Sequence, residues 1–309
     1  MKVVILRALY LGDFLTAVPA FRAIRRAFSG ASVVLAAPGH FDVLCELLDG
    51  AIDEIAHAVE LEPLPPRARD ADVGIDLHGC GPASQRLLLA AGARRLIAFR
   101  RDEVPETYGG PAFDAGEHEV ARWCRLLRAY GIPADPDQLD LRVPTAAVPD
   151  YARGATLVHC GAASEARRWP VERFVEVVRA ERARGRRVVL TGNARERDRA
   201  LAIARGADLP ETYVFAGRTD LRELAALVAA SARVLCGDTG VAHLATAFRR
   251  PSVVLFGPTP PATWGPPARP IHRVIWNGTT GDPHGDRVDR GLAAIAADRV
   301  IAELCALPA

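Results

Sequence analysis

The chain has almost no lysine: of its 39 basic residues only Lys2 is one, and the rest are arginine. Such a uniform choice is what a GC-rich genome produces, so no single arginine can be read as selected over lysine. Charge of either sign is also missing in excess. Basic and acidic residues number 39 and 37, a net +2, which gives no electrostatic case for nucleic acid or an anionic membrane. The six cysteines (Cys45, Cys80, Cys124, Cys160, Cys236 and Cys305) show no CxxC spacing. They read as buried reduced thiols in a cytoplasmic protein, not as a disulfide frame or a zinc site. No apolar run reaches membrane-spanning length. The N-terminal residues enter a strand directly, without the cleavage pattern of a signal peptide, so a cytoplasmic location is expected. The absence of GxSxG, Walker A and GxGxxG sequences argues against a hydrolase elbow, a P-loop ATPase and an NAD-type dehydrogenase. His40, His118 with Glu119, and Asp76 with His78 lack the close pairing of a dedicated metal site, so no metal is expected.

What is present is an alternation. With 309 residues, half of them hydrophobic and a quarter charged, the chain has the size and make-up of a two-domain globular protein. Apolar or β-branched runs at 3–6, 32–36, 72–75 and 95–99 predict strands. Phe14, Ala17, Val18, Phe21, Ile24 and Phe28 recur at helical spacing, and 116–130 predicts another helix. A Pro-rich stretch from Gly131 to Pro149 interrupts the pattern and predicts the interdomain connection. Strands are then predicted at 155–160, 187–191, 212–215, 233–236 and 252–256, with helices at 171–184, 195–205, 221–230 and 241–248. A last helix is predicted at 288–304. The expected fold class is α/β, with two parallel-sheet domains at 1–145 and 151–285. Segment 286–309 is expected to pack back towards the first. In such a chain the active site is expected in the cleft between domains, at the carboxyl ends of the strands.

Four stretches could carry chemistry. The most informative is Cys236-Gly-Asp-Thr-Gly-Val-Ala-His-Leu-Ala245, where a strand turns into a helix. Asp238, Thr239 and Gly240 sit on the turn, where free backbone N–H groups and the positive end of the helix dipole suit a phosphate. Leu11-Gly12-Asp13-Phe14 opens the first helix. Asp13 there is either an N-cap or a carboxylate free to take a proton from a hydroxyl. In His159–Pro170 a small-residue loop lets backbone amides approach an anion, and Arg167 or Arg168 could supply the countercharge. The alternative for that pair is a solvated face beside a buried Trp169. Phe256–Pro266 is a stiff Pro/Gly loop, suited to a ligand wall or simply a surface turn.

Taken in order, these stretches resemble glycosyltransferase family 9, the ADP-heptose-using heptosyltransferases. The resemblance runs through Leu11-Gly12-Asp13, Asp76-Leu77-His78-Gly79, His118, Gly161-Ala162 with Arg167-Arg168-Trp169-Pro170, and Leu190-Thr191-Gly192 with Glu196. It ends with Asp238–Leu244 and Phe256-Gly257-Pro258-Thr259. It implies a GT-B architecture of two Rossmann-like domains facing each other across a cleft. Acceptor would bind the N-terminal domain and nucleotide-sugar donor the C-terminal one. It further implies an inverting, metal-independent transfer of a sugar, a heptose, from an ADP-activated donor, by a monomer needing no cofactor. Asp13 becomes the general base, whether or not it also caps its helix. Asp238, Thr239, Gly240, His243, Arg167, Ser164 and Gly161 become the diphosphate and donor-sugar site. Thr191, Gly192, Glu196, Gly257, Pro258 and Thr259 line the nucleotide, while Gly12, Asp76, His78 and His118 lie on the acceptor side.

The chain departs from the family pattern in three places. Arg167 stands where family members usually carry lysine, and Ala163 where they carry a hydroxyl residue, a loss that Ser164 could make good. Between Gly50 and Asp72 the chain is short, with Glu54, Glu60 and Glu62 against only Arg67 and Arg69. Lipopolysaccharide-directed members tend to place a longer basic and aromatic insertion there, so a smaller or less anionic acceptor, a soluble glycoside, is expected. Two other readings stand beside the enzyme: a catalytically silent nucleotide-sugar-binding scaffold, and another nucleotide-sugar enzyme on the same fold.

Overall fold

The computed structural model describes residues 1–308, which form two compact units, Met1–Arg142 and a second from Val143 onward. Each holds one five-stranded, wholly parallel sheet with helices between its strands. The first sheet comprises β1 (Lys2–Leu6), β2 (Ser32–Ala37), β3 (Glu54–His57), β4 (Val73–Asp76) and β5 (Leu96–Ile97), in the order β3-β2-β1-β4-β5. The second comprises β6 (Thr156–His159), β7 (Val188–Thr191), β8 (Arg233–Gly237), β9 (Ser252–Leu255) and β10 (His272–Ile275), in the order β10-β9-β8-β6-β7. The central strands are continuous apolar runs because helices cover both faces of the sheet. Val3 to Leu6 and Val158, Leu190, Leu235 and Val253 are almost wholly buried.

In each sheet the chain winds outward from its first strand in one direction and then reverses. The reversal falls between β1 and β4 in the first unit and between β6 and β8 in the second. Loops leaving the carboxyl ends of two such neighbours diverge to opposite faces, and the crevice they leave is where open α/β sheets bind ligands.

Several expected elements differ. The Phe14–Phe28 stripe is two helices, Leu11–Thr16 and Val18–Ala27, broken at Ala17. Pro19 lacks an N–H and is tolerated only in a first helical turn, so it restarts the helix instead of continuing it. The expected strand at 212–215 is a turn, Glu211–Tyr213, in which Tyr213 N–H bonds the Pro210 carbonyl and only Val214 bridges to β7. Edge strands β3 and β10 were not expected; with one neighbour each they tolerate polar residues and show no apolar run. The last helix is split into Arg290–Ala293 and Ala297–Ala306. Val300, Leu304 and Leu307 enter the second unit's core with Trp169 and Phe174, and Trp169 Nε1 donates to Ile295 O at 3.1 Å.

No helix among the described residues is long and apolar enough to cross a membrane.

Candidate functional site

In the first unit, Asp13 follows β1 and sits in the third position of helix Leu11–Thr16, not at its N-cap. Its carboxylate reaches back to accept the Tyr10 N–H at 3.3 Å, so it satisfies an orphan donor from inside the helix. The side chain keeps 18% of its exposure. Burial pushes its pKa up, and the negative charge of Glu119 adds to this; the Arg7 guanidinium and the Tyr10 N–H pull it back. Gly12 lies beside it, half-buried.

Asp76 ends β4, in register with Leu6 at the end of β1, and is buried. It accepts the His78 N–H at 3.0 Å and the Ser84 hydroxyl at 2.8 Å, and burial pushes it up to about 6. His78 accepts the Ala8 N–H at Nδ1, 3.2 Å, and is pushed down to about 4 by burial and by Arg7. His118 caps helix Glu119–Ala129 through its ring, accepting the Val120 N–H. The expected acceptor-side residues Gly12, Asp13, Asp76, His78 and His118 are thereby gathered at the carboxyl ends of β1 and β4. What gathers them is Arg7, which sequence reasoning missed. Fully buried, it donates to Leu77 O and the Asp13 carbonyl and lies 3.2 Å from Thr16 Oγ1 and 3.0 Å from Glu119 Oε1. The available signal was an arginine directly continuing an apolar strand, since a charge so placed must find partners.

In the second unit β6, β7, β8 and β9 end together: His159 pairs with Thr191 and Cys236, and Gly237 with Leu255. After β8 the chain passes Asp238 into helix Gly240–Ala247, with Thr239 as N-cap in extended conformation and no side-chain cap bond. Of its first-turn N–H groups, that of Ala242 bonds the Thr239 carbonyl, while those of Gly240 and Val241 meet no cap side chain and suit an external partner. His243, on the same helix, packs edge-on to Trp264 of the Pro/Gly loop, with ring centres 6.1 Å apart.

Arg167 and Asp238, expected to play separate parts, form an ion pair. Arg167 Nη2 lies 3.0 Å from Asp238 Oδ2 and donates to its carbonyl. Burial pushes the Asp238 carboxyl up and the guanidinium pulls it back. Arg167 Nε is buried with no hydrogen-bond partner among the described residues. Ser164, the expected stand-in for a missing hydroxyl, spends its proton on Pro283 O at 2.5 Å. Arg168 is no solvated bystander, for it ties Ala162 O to Glu165.

Gly161 lies against the Glu196 carboxylate so closely that a Cβ there would overlap it. Glu196 is buried and closes a capping box with Asn193, accepting its N–H at 2.7 Å. Thr191 is buried with its hydroxyl 3.1 Å from His159 Nδ1. Gly192 accepts the Gly217 N–H, and Gly257 and Pro258 carbonyls accept from Trp276 and Gly281. Thr259 is half-buried at the loop's turn. Among the described residues no three His, Cys, Asp or Glu side chains are grouped so as to hold a metal ion.

The family model described as glycosyltransferase family 9 (heptosyltransferase) matches residues 69–290. The chain belongs to this family. The matched span takes in every expected site residue from Asp76 to Thr259, whereas Gly12 and Asp13 lie before it. The family 9 chain is 31% identical to lipopolysaccharide heptosyltransferase 2 of Escherichia coli K12 over 150 residues. That alignment covers 46% of this chain, which thus spans less than half, 43%, of the relative's length. In fold it matches E. coli ADP-heptose lps heptosyltransferase II with a TM-score of 0.77 at 23% identity, covering 99% of this chain and 98% of that one. It also matches the heptosyltransferase TibC of enterotoxigenic E. coli H10407, described as dodecameric, iron-containing and in complex with ADP-D-β-D-heptose. There the TM-score is 0.64 at 16% identity, over 98% of this chain and 75% of that one. These likenesses establish the GT-B fold.

Proposed function

We propose that this family 9 chain is an inverting glycosyltransferase that moves a heptose from an ADP-activated donor to an acceptor hydroxyl. One observation carries the reading: the reversal point of each sheet holds one half of the required chemistry. At the β1/β4 reversal stands a partly exposed carboxylate, Asp13; at the β6/β8 reversal stands a helix N-terminus suited to a diphosphate.

In this mechanism Asp13 removes the proton from the acceptor hydroxyl. The oxygen attacks the anomeric carbon while the bond from that carbon to the diphosphate breaks, inverting the centre. Charge grows on the departing ADP, where the Gly240 and Val241 N–H groups after Thr239 stabilise it. Arg167 offers the leaving group a guanidinium of which Nη2 is the nitrogen committed to Asp238. Asp238 and His243 face the donor sugar, and Gly161 leaves room for Glu196 beside the nucleotide. Family relatives are named as lipopolysaccharide heptosyltransferases and one is described with ADP-heptose, which supports this donor.

For the acceptor the proposal is a small or weakly anionic glycoside. The 51–71 stretch has only Arg67 and Arg69 to offer an anionic lipid; Arg67, though exposed, is paired with Glu54, and Arg69 Nε is bonded to Leu64 O. Salt-sensitive tight binding to a Kdo-bearing lipid would overturn that part. The proposal is a metal-independent monomer. Turnover after exhaustive chelation and the mass in solution check this against the iron-containing, dodecameric TibC.

The test is an ADP-release assay over acceptors, with thermal shift by ADP, UDP and GDP alongside. ADP alone should raise the melting temperature, because it binds the folded state. Asp13→Asn should leave that shift intact and lower turnover by roughly 10²–10⁴. Donor binding without turnover on any acceptor would favour a scaffold, and an Asp13→Asn protein with full activity would remove Asp13 from the mechanism.

A further inference from the structure

Asp13 ends a line of alternating buried charges. Arg122, on helix Glu119–Ala129, donates to Glu119 Oε2 and to the carbonyls of Asp114, Ala115 and Glu117. Glu119 Oε1 accepts the Trp123 indole N–H at 2.8 Å and Arg7 Nη2 at 3.0 Å. Arg7 in turn lies 3.6 Å from Asp13 Oδ1 and donates to the Asp13 carbonyl. Its other N–H groups go to Leu77 O and Thr16 Oγ1, and its face lies 4.8 Å over the Trp123 ring. Arg122 and Glu119 are under 10% exposed and Arg7 is not exposed at all.

A guanidinium so enclosed cannot reach a substrate. It can act only through its neighbours, and of the two carboxylates beside it Asp13 is the one that keeps a surface. We propose that Arg7 and Glu119 are positioning residues for Asp13: Arg7 fixes the carboxylate's place and its negative charge, and Glu119, anchored by Arg122, fixes Arg7. With Asp13 ionised the line is neutral, two positive charges against two negative. Protonating Asp13 would leave one buried guanidinium uncompensated, and a buried charge without a counterpart is costly. Glu119 opposes Arg7 in its effect on Asp13, since its own charge repels the carboxylate's. Asp76 and His78, at the end of β4, complete the titratable groups that face Arg7.

The catalytic meaning rests on the base reading above, so the experiment reads the carboxyl group directly. Carbon-13 carboxyl titration of the full chain, with the Asp13→Asn spectrum assigning the resonance, reports the Asp13 midpoint without any acceptor. In Arg7→Met it should move up by about one unit or more, the usual effect of losing an adjacent cation. In Glu119→Gln it should move down, and in Arg7→Lys it should stay near the wild-type value. Opposite shifts are not produced by a merely structural role. A midpoint unmoved in both Arg7→Met and Glu119→Gln would overturn the inference. Should Arg7→Met fail to fold, the downward shift in Glu119→Gln and the retained midpoint in Arg7→Lys still decide it. Shifts as expected in a protein whose Asp13→Asn variant keeps full turnover would sustain the charge line and refute the base reading alone.

Discussion

Gly161→Ala is the substitution whose cost the structure specifies best. A methyl group at this position would overlap the Glu196 carboxylate. That carboxylate is not a loose end: it is buried and accepts the Asn193 N–H at 2.7 Å, while Asn193 Oδ1 accepts the Arg195 and Glu196 N–H groups. To admit the methyl, Glu196 must leave the capping box or the loop after β6 must shift. Losing a cap costs about 1 kcal/mol, and overpacking a filled site costs typically 1–3 kcal/mol. A total of about 2–4 kcal/mol would lower the melting temperature by about 4–16 °C for a unit of this size. The assay is a double-mutant cycle by chemical denaturation. Glu196→Ala alone should cost about 1 kcal/mol. Combined with Gly161→Ala it should cost little more, because the clash goes with the carboxylate. ADP affinity should fall in both single variants if this carboxylate faces the nucleotide as proposed. A neutral Gly161→Ala, or a double variant whose costs simply add, would refute the steric argument.

Arg167→Met leaves the buried Asp238 carboxylate without its cation, which should cost up to about 3 kcal/mol in denaturation, at the low end for breaking a buried pair because Arg167 is partly exposed. Arg167→Lys should recover most of that, and a neutral Arg167→Met would show that the pair is not formed in solution. Asp76 is raised to about 6, so the folded state favours its protonated form, and stability is lost as pH rises from about 4 through 6. Asp76→Asn removes that loss. Its stability relative to wild type should therefore rise by roughly 3 kcal/mol between pH 4 and pH 7, and a difference flat with pH would contradict the burial argument. Asp13→Asn should retain the ADP thermal shift and lose turnover, as measured by ADP release.

Much of the fold was legible because parallel strands buried on both faces must be apolar throughout, and eight of the ten strands carry such a run. The edge strands β3 and β10 were not legible because each is partly exposed and mixes polar with apolar residues, whereas the other two edge strands, β5 and β7, are buried and apolar. The break at Ala17 was missed because the apolar stripe passes unchanged from Phe14 to Phe21, whose rings still meet at 5.3 Å, while Pro19 resets the backbone. The strand-to-helix turn at Asp238–Gly240 was legible because strand, turn residues and helix are contiguous.

The sequence by itself determined the alternation of strands and helices, the family, and the local turns, because each depends on residues close together in the chain. Only the tertiary structure decided which charges answer one another. Arg7 and Glu119 stand 112 positions apart, and Arg167 and Asp238 71. Burial leaves each of these charges few partners, and which partner is within reach is settled by the strand order that brings the loops to one sheet edge.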